Sequence, residues 1–332
     1  MPEVSIIIVT WNGRQHLERC LTAVACQEAV EAETILVDNG STDGTTAFVR
    51  DRFPWVRVVA LETNLGFAGG NNAGARVAQG RYLAFLNNDT EADPRWLRTL
   101  LDGLDEPAGV ALVTSCVVYM DHPDLLDSAG DSVTRAGGAY KRFHGAPVQL
   151  AAESCEVFGA CGAAFLMPRT LFATLDGFDE DFFASHEDVD LSYRARLQGY
   201  RCRYVAGARV RHRGSATLGR VSAWSVFQGQ RNLEWSYLKN TPGPILLRTL
   251  PGHLLYTAAA AAHFTRLGLL GTFLRAKAAA LRGVPRMWRK RQAIQAARTV
   301  EPAAIWRVLE RGWLRVKLRE KRFDTSIREA GA

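Results

Sequence analysis

Apolar and β-branched residues fill Val4–Thr10 almost without a break, the pattern of a strand buried on both faces. After a turn at Trp11, Asn12 and Gly13 the period lengthens, and Leu17, Leu21, Val24 and Ala25 share one face of a helix predicted over Arg14–Gln27. The alternation then repeats. Strands are predicted at Glu33–Val37, Val56–Leu61, Arg81–Leu86 and Val110–Ser115. Helices are predicted at Thr45–Asp51, from the Gly/Asn-rich stretch 64–74 through Gln79, and from Pro94 at a first helical turn. This βαβ spacing predicts an α/β fold with a parallel, doubly wound sheet flanked by helices, in which ligands bind at the carboxyl ends of the strands. The polar clusters Asp38-Asn39 and Asn87-Asn88-Asp89 lie at such ends, and the Asn64–Gly74 run follows another.

The pattern is looser over 120–150, read as a surface excursion with short strands. It resumes with a small-residue turn and strand at Gly159–Met167 and a short helix at Arg169–Leu175. Ser185–Leu191 then places a histidine and three carboxylates within five residues at the start of a helix that runs to Gln198, with Gly199 as its stop. Strands are predicted at Tyr200–Val205 and Ala208–His212, and a helix at Ser222–Lys239. A break follows at Thr241-Pro242-Gly243-Pro244. Beyond it Leu254–Leu274 is apolar and alanine-rich but carries His263 and Arg266. That favours an amphipathic helix lying in a membrane interface, with Pro251 and Gly252 ahead of it, over one that spans. The chain thus divides into an α/β part, 1–240, and a helical, basic extension, 241–332.

Charge sharpens that division. The net charge of +7 conceals 18 Lys and Arg against only 5 Asp and Glu in residues 241–332, while the first 240 residues are net acidic. A basic tail on an acidic body points to an anionic partner, here an anionic membrane surface, with Trp288, Trp306 and Trp313 suited to an interface. A solvated basic bundle packed on the α/β part is the plainer alternative. No recognition module or stacking pattern accompanies the charge, so nucleic acid is not an expected partner. The six cysteines form no C-x-x-C and no zinc spacing, and the first strand begins at Val4. Both favour a reducing, cytoplasmic setting, peripheral on the inner face of the cytoplasmic membrane.

The polar clusters exclude some chemistry and allow other chemistry. There is no G-x-G-x-x-G after the first strand, no G-x-x-x-x-G-K-[ST] and no G-x-S-x-G. What remains is a nucleotide pocket of another kind. Asp38 and Asn39 can read a base edge or ribose hydroxyls. Asp89 can hold a divalent cation, Mg²⁺ or Mn²⁺, on a diphosphate, and His212 is a further ligand candidate. Asp188 is a candidate general base if an apolar floor buries it, since burial raises a carboxylate pKa; a helix start with favourable charges is the plain reading of the same residues.

Taken together, VSIIIVTWN (4–12), ILVDNGSTDG (35–44), NLGFAGGNNAG (64–74), LNNDT (86–90), GACGAAFLM (159–167), GFDE (177–180), HEDVDL (186–191) and VRHRG (210–214) resemble family 2 glycosyltransferases of the GT-A fold, the rhamnosyltransferase-like branch most of all. The resemblance implies that Thr10, Asn12, Asp38 and Asn39 line the nucleoside pocket, and that Asn64, Gly66 and Phe67 sit over nucleotide and sugar. Asn87-Asn88-Asp89 takes the place of a D-x-D metal motif, with Asn87 replacing its first carboxylate; Asn88 falls in the substrate site, and Asp89 and His212 are the metal ligands. Asp188 matches the base and Glu187 its neighbour, and Arg231 falls in a Q-x-x-R-W-like run in which Asn232 replaces Trp. The activity implied is inverting, metal-dependent transfer from a dTDP- or UDP-sugar, rhamnose first among them, to a glycan or polyprenyl-diphosphate-linked acceptor in envelope polysaccharide synthesis. The alternative is a non-catalytic nucleotide-sugar or glycan-binding module on the membrane surface.

Overall fold

A computed structural model describes residues 2–214 and 222–318. Part of the 241–332 extension, residues 319–332, lies outside the described residues. The elements run β1 (Val4–Thr10), α1 (Arg14–Ala25), β2 (Ala32–Asp38), α2 (Thr45–Arg52), β3 (Arg57–Ala60), α3 (Gly66–Val77), β4 (Tyr82–Asn87), β5 (Thr90–Ala92), α4 (Trp96–Gly103) and β6 (Val110–Tyr119). Then come β7 (Leu126–Ser128), β8 (Asp131–Val133), β9 (Ala139–Lys141), β10 (Cys155–Val157), β11 (Ala164–Pro168), α5 (Arg169–Thr174), α6 (Glu187–Leu197) and β12 (Arg201–His212). After β12 come α7 (Ala223–Asn240), α8 (Gly243–Arg266), α9 (Leu270–Ala296) and α10 (Pro302–Val308).

The main sheet runs β10-β12-β6-β11-β4-β1-β2-β3, with β5 added to β12 and β7 to β6. Its first half is parallel, as the βαβ rhythm requires. Its second half is mixed: β11 enters antiparallel between β4 and β6, and β12 returns parallel to β6. Side-chain alternation splits the core into two layers. Ile6, Ile8 and Leu36 face Leu17, Trp96 and Leu100 on one side of the sheet. Ile7, Ile35 and Val37 face Ala68, Phe178 and Leu191 on the other.

Four expectations are corrected. The two strands over 200–212 are one, β12, whose register slips between Val205 and Arg209; that irregularity, not a turn, accounts for the small residues there. Pro94 lies in a turn before α4, which begins at Trp96. The apolar run 254–274 is not one helix. Gly268, at φ +70°, takes the left-handed conformation just after α8 and turns the chain into α9. Pro251 sits inside α8 instead of ahead of it, on the solvent side, where its missing N–H is least costly. Among the described residues no helix is long and apolar enough to cross a membrane.

The glycines of 66–74 let α3 lie close on the sheet. A Cβ on Gly74 would stand 2.6 Å from Ile7 Cγ2 and 3.1 Å from Val37 Cγ2. Gly74→Val should therefore lift α3 off β1 and destabilise the chain by about 1–3 kcal/mol, the usual cost of overpacking, read as a lower urea midpoint at unchanged slope.

Candidate active site

The site begins with a pairing register. β5 runs antiparallel to the end of β12, placing Thr90 opposite His212, and Arg213 N–H donates to the Asp89 carbonyl at 3.0 Å. The turn between β4 and β5 therefore presents Asp89 to the imidazole, with His212 Nε2 3.1 Å from Asp89 Oδ1. The other ring nitrogen, Nδ1, lies 2.8 Å from Asp127 Oδ2 on β7, and Lys141 Nζ on β9 donates to both Asp127 oxygens at 2.8 Å. Burial opposes a charged His212, but the hydrogen bonds and charges of Asp127 and Asp89 outweigh it and push its pKa up to about 9. Burial likewise works against an ionised Asp127, yet Lys141, His144 and His212 hold it well below the usual carboxylate range.

Without a metal, His212 is thus an imidazolium clamped between two carboxylates. Nε2, turned toward Asp89, is the ring nitrogen that could hold a metal, and Asp127 orients the ring through Nδ1, an arrangement common behind metal-bound histidines. The amide of Asn87, 3.3 Å from His212 Nε2, borders the same point. Asn88 turns away, its Nδ2 donating to Thr10 Oγ1 at 2.7 Å. Among the described residues no cluster of three acidic, histidine or cysteine ligands surrounds one point. One carboxylate and one imidazole suit a divalent ion that shares its remaining positions with a diphosphate and water.

The residues expected to line a nucleoside pocket converge at the ends of β1 and β2. Asp38 and Asn39 are both buried. Asp38 accepts from Ser41 N–H at 2.9 Å and from the Thr46 hydroxyl. Asn12, at φ 49°, accepts Thr42 N–H on Oδ1 at 2.8 Å. Asn39 Nδ2 donates to Asn64 Oδ1 and to the Gly66 carbonyl, both at 2.9 Å, and its Oδ1 accepts Leu65 N–H. Asn39 and Asn64 thus brace the loop that leads into α3, and Phe67 packs edge-on against Phe178.

Facing them is the loop 179–187. Phe183, Ser185 and His186 all have positive φ, a run of strain that persists only when neighbours enforce it. Asn232, fully buried on α7, does so: its Nδ2 donates to the carbonyls of Phe182, Ala184 and Ser185 at 2.8, 2.9 and 2.7 Å. Arg231 is directed at the same loop, donating to the Phe182 carbonyl at 3.1 Å and stacking over Trp235. Its guanidinium is committed within the fold instead of reaching into open space. Glu180, at the loop's start, helps fix its outer edge by accepting from Asn72 Nδ2 at 3.0 Å.

Asp188 Oδ2 accepts Gly162 N–H at 2.8 Å, while the neighbouring Ala163 carbonyl accepts Asn87 N–H at 2.9 Å. One two-residue segment therefore ties Asp188 to the Asn87–Asp89 turn. The expected apolar burial of Asp188 is corrected: it is half-buried, and its neighbour Glu187 is the buried acid. Burial and the charge of Asp188 push Glu187 well above the usual carboxylate range, and its Oε2 has no hydrogen-bond partner among the described residues. Glu187 thus holds its proton more firmly than an ordinary carboxylic acid, beside the half-buried Asp188. Pattern reading missed Asp127, Lys141 and the bracing role of Asn232. The first two lie in the irregular 120–150 stretch, where the only signal was acids and a lysine in otherwise apolar short strands.

A sequence model described as Glycosyl transferase family 2 matches residues 5–175. The succinoglycan biosynthesis protein ExoO of Rhizobium meliloti is 33% identical over 127 residues, 38% of this chain and 36% of that protein. Validoxylamine A glucosyltransferase of Streptomyces hygroscopicus is 28% identical over 221 residues, 60% of this chain and 52% of its own length. The N-acetylglucosaminyl-diphospho-decaprenol L-rhamnosyltransferase of Mycobacterium tuberculosis is 27% identical over 242 residues, 66% of this chain and 78% of its own. The chain thus spans between about a third and a half of the first two curated relatives. In fold it is similar to the Pyrobaculum calidifontis mannosyltransferase PcManGT solved with GDP-Man and Mn²⁺, at TM-score 0.54 and 21% identity, over 89% of this chain and 85% of that one. It is also similar to S. aureus TarS 1-349 solved with UDP-GlcNAc, at TM-score 0.57 and 19% identity, over 89% and 87%.

Two outcomes follow from the geometry. Asn232→Ala removes the side-chain donor from the Ala184 and Ser185 carbonyls and leaves Phe182 to Arg231, which should cost about 1–3 kcal/mol, with amide exchange of 182–187 accelerated ahead of global unfolding. His212 binds its proton more tightly folded than unfolded, so its contribution to the stability of the metal-free chain is full below the ordinary histidine pKa and is lost as pH rises toward about 9. The melting-temperature gap between wild type and His212→Gln should be widest near pH 6 and close by pH 10, measured with chelator present.

Proposed function

The chain belongs to glycosyl transferase family 2, and from that premise we propose that it moves a sugar from a nucleoside-diphosphate carrier to an acceptor hydroxyl by single displacement, inverting the anomeric centre. The observation that carries this reading is the tie between the two chemical poles. Gly162 and Ala163 hold Asp188 on one side and the Asn87–Asp89 turn on the other, so base and leaving-group site face a common interval. In this reading Asp188 takes the proton from the acceptor hydroxyl as that oxygen attacks the anomeric carbon and the bond to the diphosphate breaks. Glu187, buried beside it with its pKa raised, holds its own proton more firmly and is not the group proposed to take one. Asp89 and His212 would hold a divalent cation, Mg²⁺ or Mn²⁺, which when bound neutralises charge on the departing diphosphate. The Mn²⁺ in the PcManGT complex supports that assignment.

The nucleoside is assigned to the pocket at Thr10, Asn12, Asp38 and Asn39, with Asn64, Gly66 and Phe67 above it. Asn88 would act there through its bond to Thr10, and Arg231 by supporting the loop in place of touching substrate. For the donor, dTDP-rhamnose comes first and UDP-sugars next. The acceptor is read as a polyprenyl-diphosphate-linked glycan at an anionic membrane surface, in cell-envelope polysaccharide synthesis. The rhamnosyltransferase relative, whose name contains a diphospho-decaprenol, supports that acceptor class.

Asp188→Asn should keep donor affinity and lose transfer by at least a hundredfold, because proton removal is the function deleted. Thermal shift with dTDP-rhamnose and UDP-sugars in the presence of Mn²⁺ reads the first, and release of nucleoside diphosphate reads the second. Turnover like the wild type's would remove Asp188 from the base role. Donor binding without turnover in the wild type itself would favour the binding-module alternative.

A further inference from the structure

Apart from the buried Arg291, which donates to the carbonyls of Leu238 and Thr241, the cations of α9 fall into two groups. Lys277, Arg286 and Lys290 point back to the body of the protein and are paired. Lys277 meets Glu234 at 2.5 Å, Arg286 meets Asp181 at 2.9 Å, and Lys290 meets Asp179 and Asp181 at 2.5 and 2.7 Å. Arg275, Arg282 and Arg289 are exposed, and none meets a carboxylate among the described residues. They recur every seven residues. Beside each stands an exposed apolar residue with the same spacing: Leu274, 55% exposed, Leu281, 72%, and Trp288, 46%. Seven residues fall about 20° short of two helical turns, so each set forms a stripe along one face. The opposite face, with Phe273, Ala276, Ala280 and Met287, is buried, and the Trp235 indole donates to the Ala280 carbonyl at 3.1 Å. The outward face is therefore not a core face left open by poor packing; the helix already has its core side.

Charge complementarity identifies what covers the outward face. Residues 241–300 contain ten Lys and Arg and no Asp or Glu. A second copy of this chain would meet the same uncompensated arginines. An anionic lipid surface satisfies both stripes at once, taking the leucines and the indole into the acyl boundary and the guanidiniums at the headgroups. We propose that the outward face of α9, Leu274, Leu281 and Trp288 flanked by Arg275, Arg282 and Arg289, is the surface by which this chain docks on an anionic bilayer. This rests on the membrane-surface acceptor reading above and deepens it. It places the membrane-facing stripe on α9, which shares residues 270–274 with the apolar 254–274 run.

The test is flotation of the full chain with vesicles of equal parts phosphatidylglycerol and phosphatidylcholine, against phosphatidylcholine alone. Wild type should float with the anionic vesicles and lose that binding as salt rises. The triple change Arg275→Gln, Arg282→Gln, Arg289→Gln should weaken it on the order of a hundredfold, at roughly 1 kcal/mol per basic residue near the surface. Leu281→Glu with Trp288→Glu should weaken it at least tenfold. Because all five side chains point outward, far-UV melting curves like the wild type's should accompany these losses. Binding equal to the wild type's in both variants overturns the proposal, as does failure of the wild type to float. So does a dimer in light scattering that the Leu281→Glu, Trp288→Glu change turns to monomer, or wild-type binding to duplex DNA as tight as to the vesicles. Loss of flotation with intact nucleotide release from a donor sugar touches only this proposal; absent release with intact flotation touches only the transferase reading.

Discussion

A single ammonium group sets the shape of the catalytic edge. Lys239, buried near the end of α7, lies 2.5 Å from Asp179 and 2.7 Å from Asp190. Those two acids bracket the loop that carries Phe183, His186, Glu187 and Asp188. Burial alone would keep both neutral; Lys239, helped by Lys290 at Asp179 and Arg194 at Asp190, holds both below the usual carboxylate range. Removing Lys239 would leave Asp179 to Lys290 and Asp190 to Arg194, so the loss should fall short of the about 3–5 kcal/mol typical of a buried pair broken outright. The strained backbone between them depends on this clamp and on Asn232 from the same helix. α7 thereby determines where Asp188 stands although it contributes no reacting group.

How much of this was readable beforehand depends on whether a residue's role is local. Ile6, Ile7 and Ile8 announce a strand because the alternation they create is a property of neighbouring positions. The clusters after β2 and β4 announce a ligand edge for the same reason. Asp127 could not be found that way. Its significance comes from β7 being laid beside β6, which brings it to His212, 85 residues further along. The burial of Glu187 in place of Asp188 was equally out of reach, since it depends on three left-handed residues whose conformation no propensity favours. Asn232 was visible as a substitution for tryptophan, but its bonding to three carbonyls belongs to a loop some fifty residues earlier.

In the metal site proposed for Asp89 and His212, Asn87 would alter the electrostatics without removing both candidate ligands. A second carboxylate there would join Asp89 and Asp127 around one imidazole and strengthen its hold on the proton. With an amide, the competition between proton and metal at His212 Nε2 is set by Asp89 on the near side and Asp127 behind the ring. Lys141 tempers the latter by occupying both of its oxygens.

Docked along α9 as proposed, the chain would meet its two substrates by different routes. From Leu274 to Trp288 the outward stripe spans about 21 Å, long enough to fix the helix axis parallel to a surface instead of leaving a point of attachment. A chain held along such a line explores its lipid-borne partner by lateral diffusion, while the nucleotide-linked partner comes from the bulk. The rate of encounter with one is then governed by its mole fraction in the leaflet and with the other by its volume concentration. Diluting the lipid with inert lipid slows the first encounter and leaves the second unchanged.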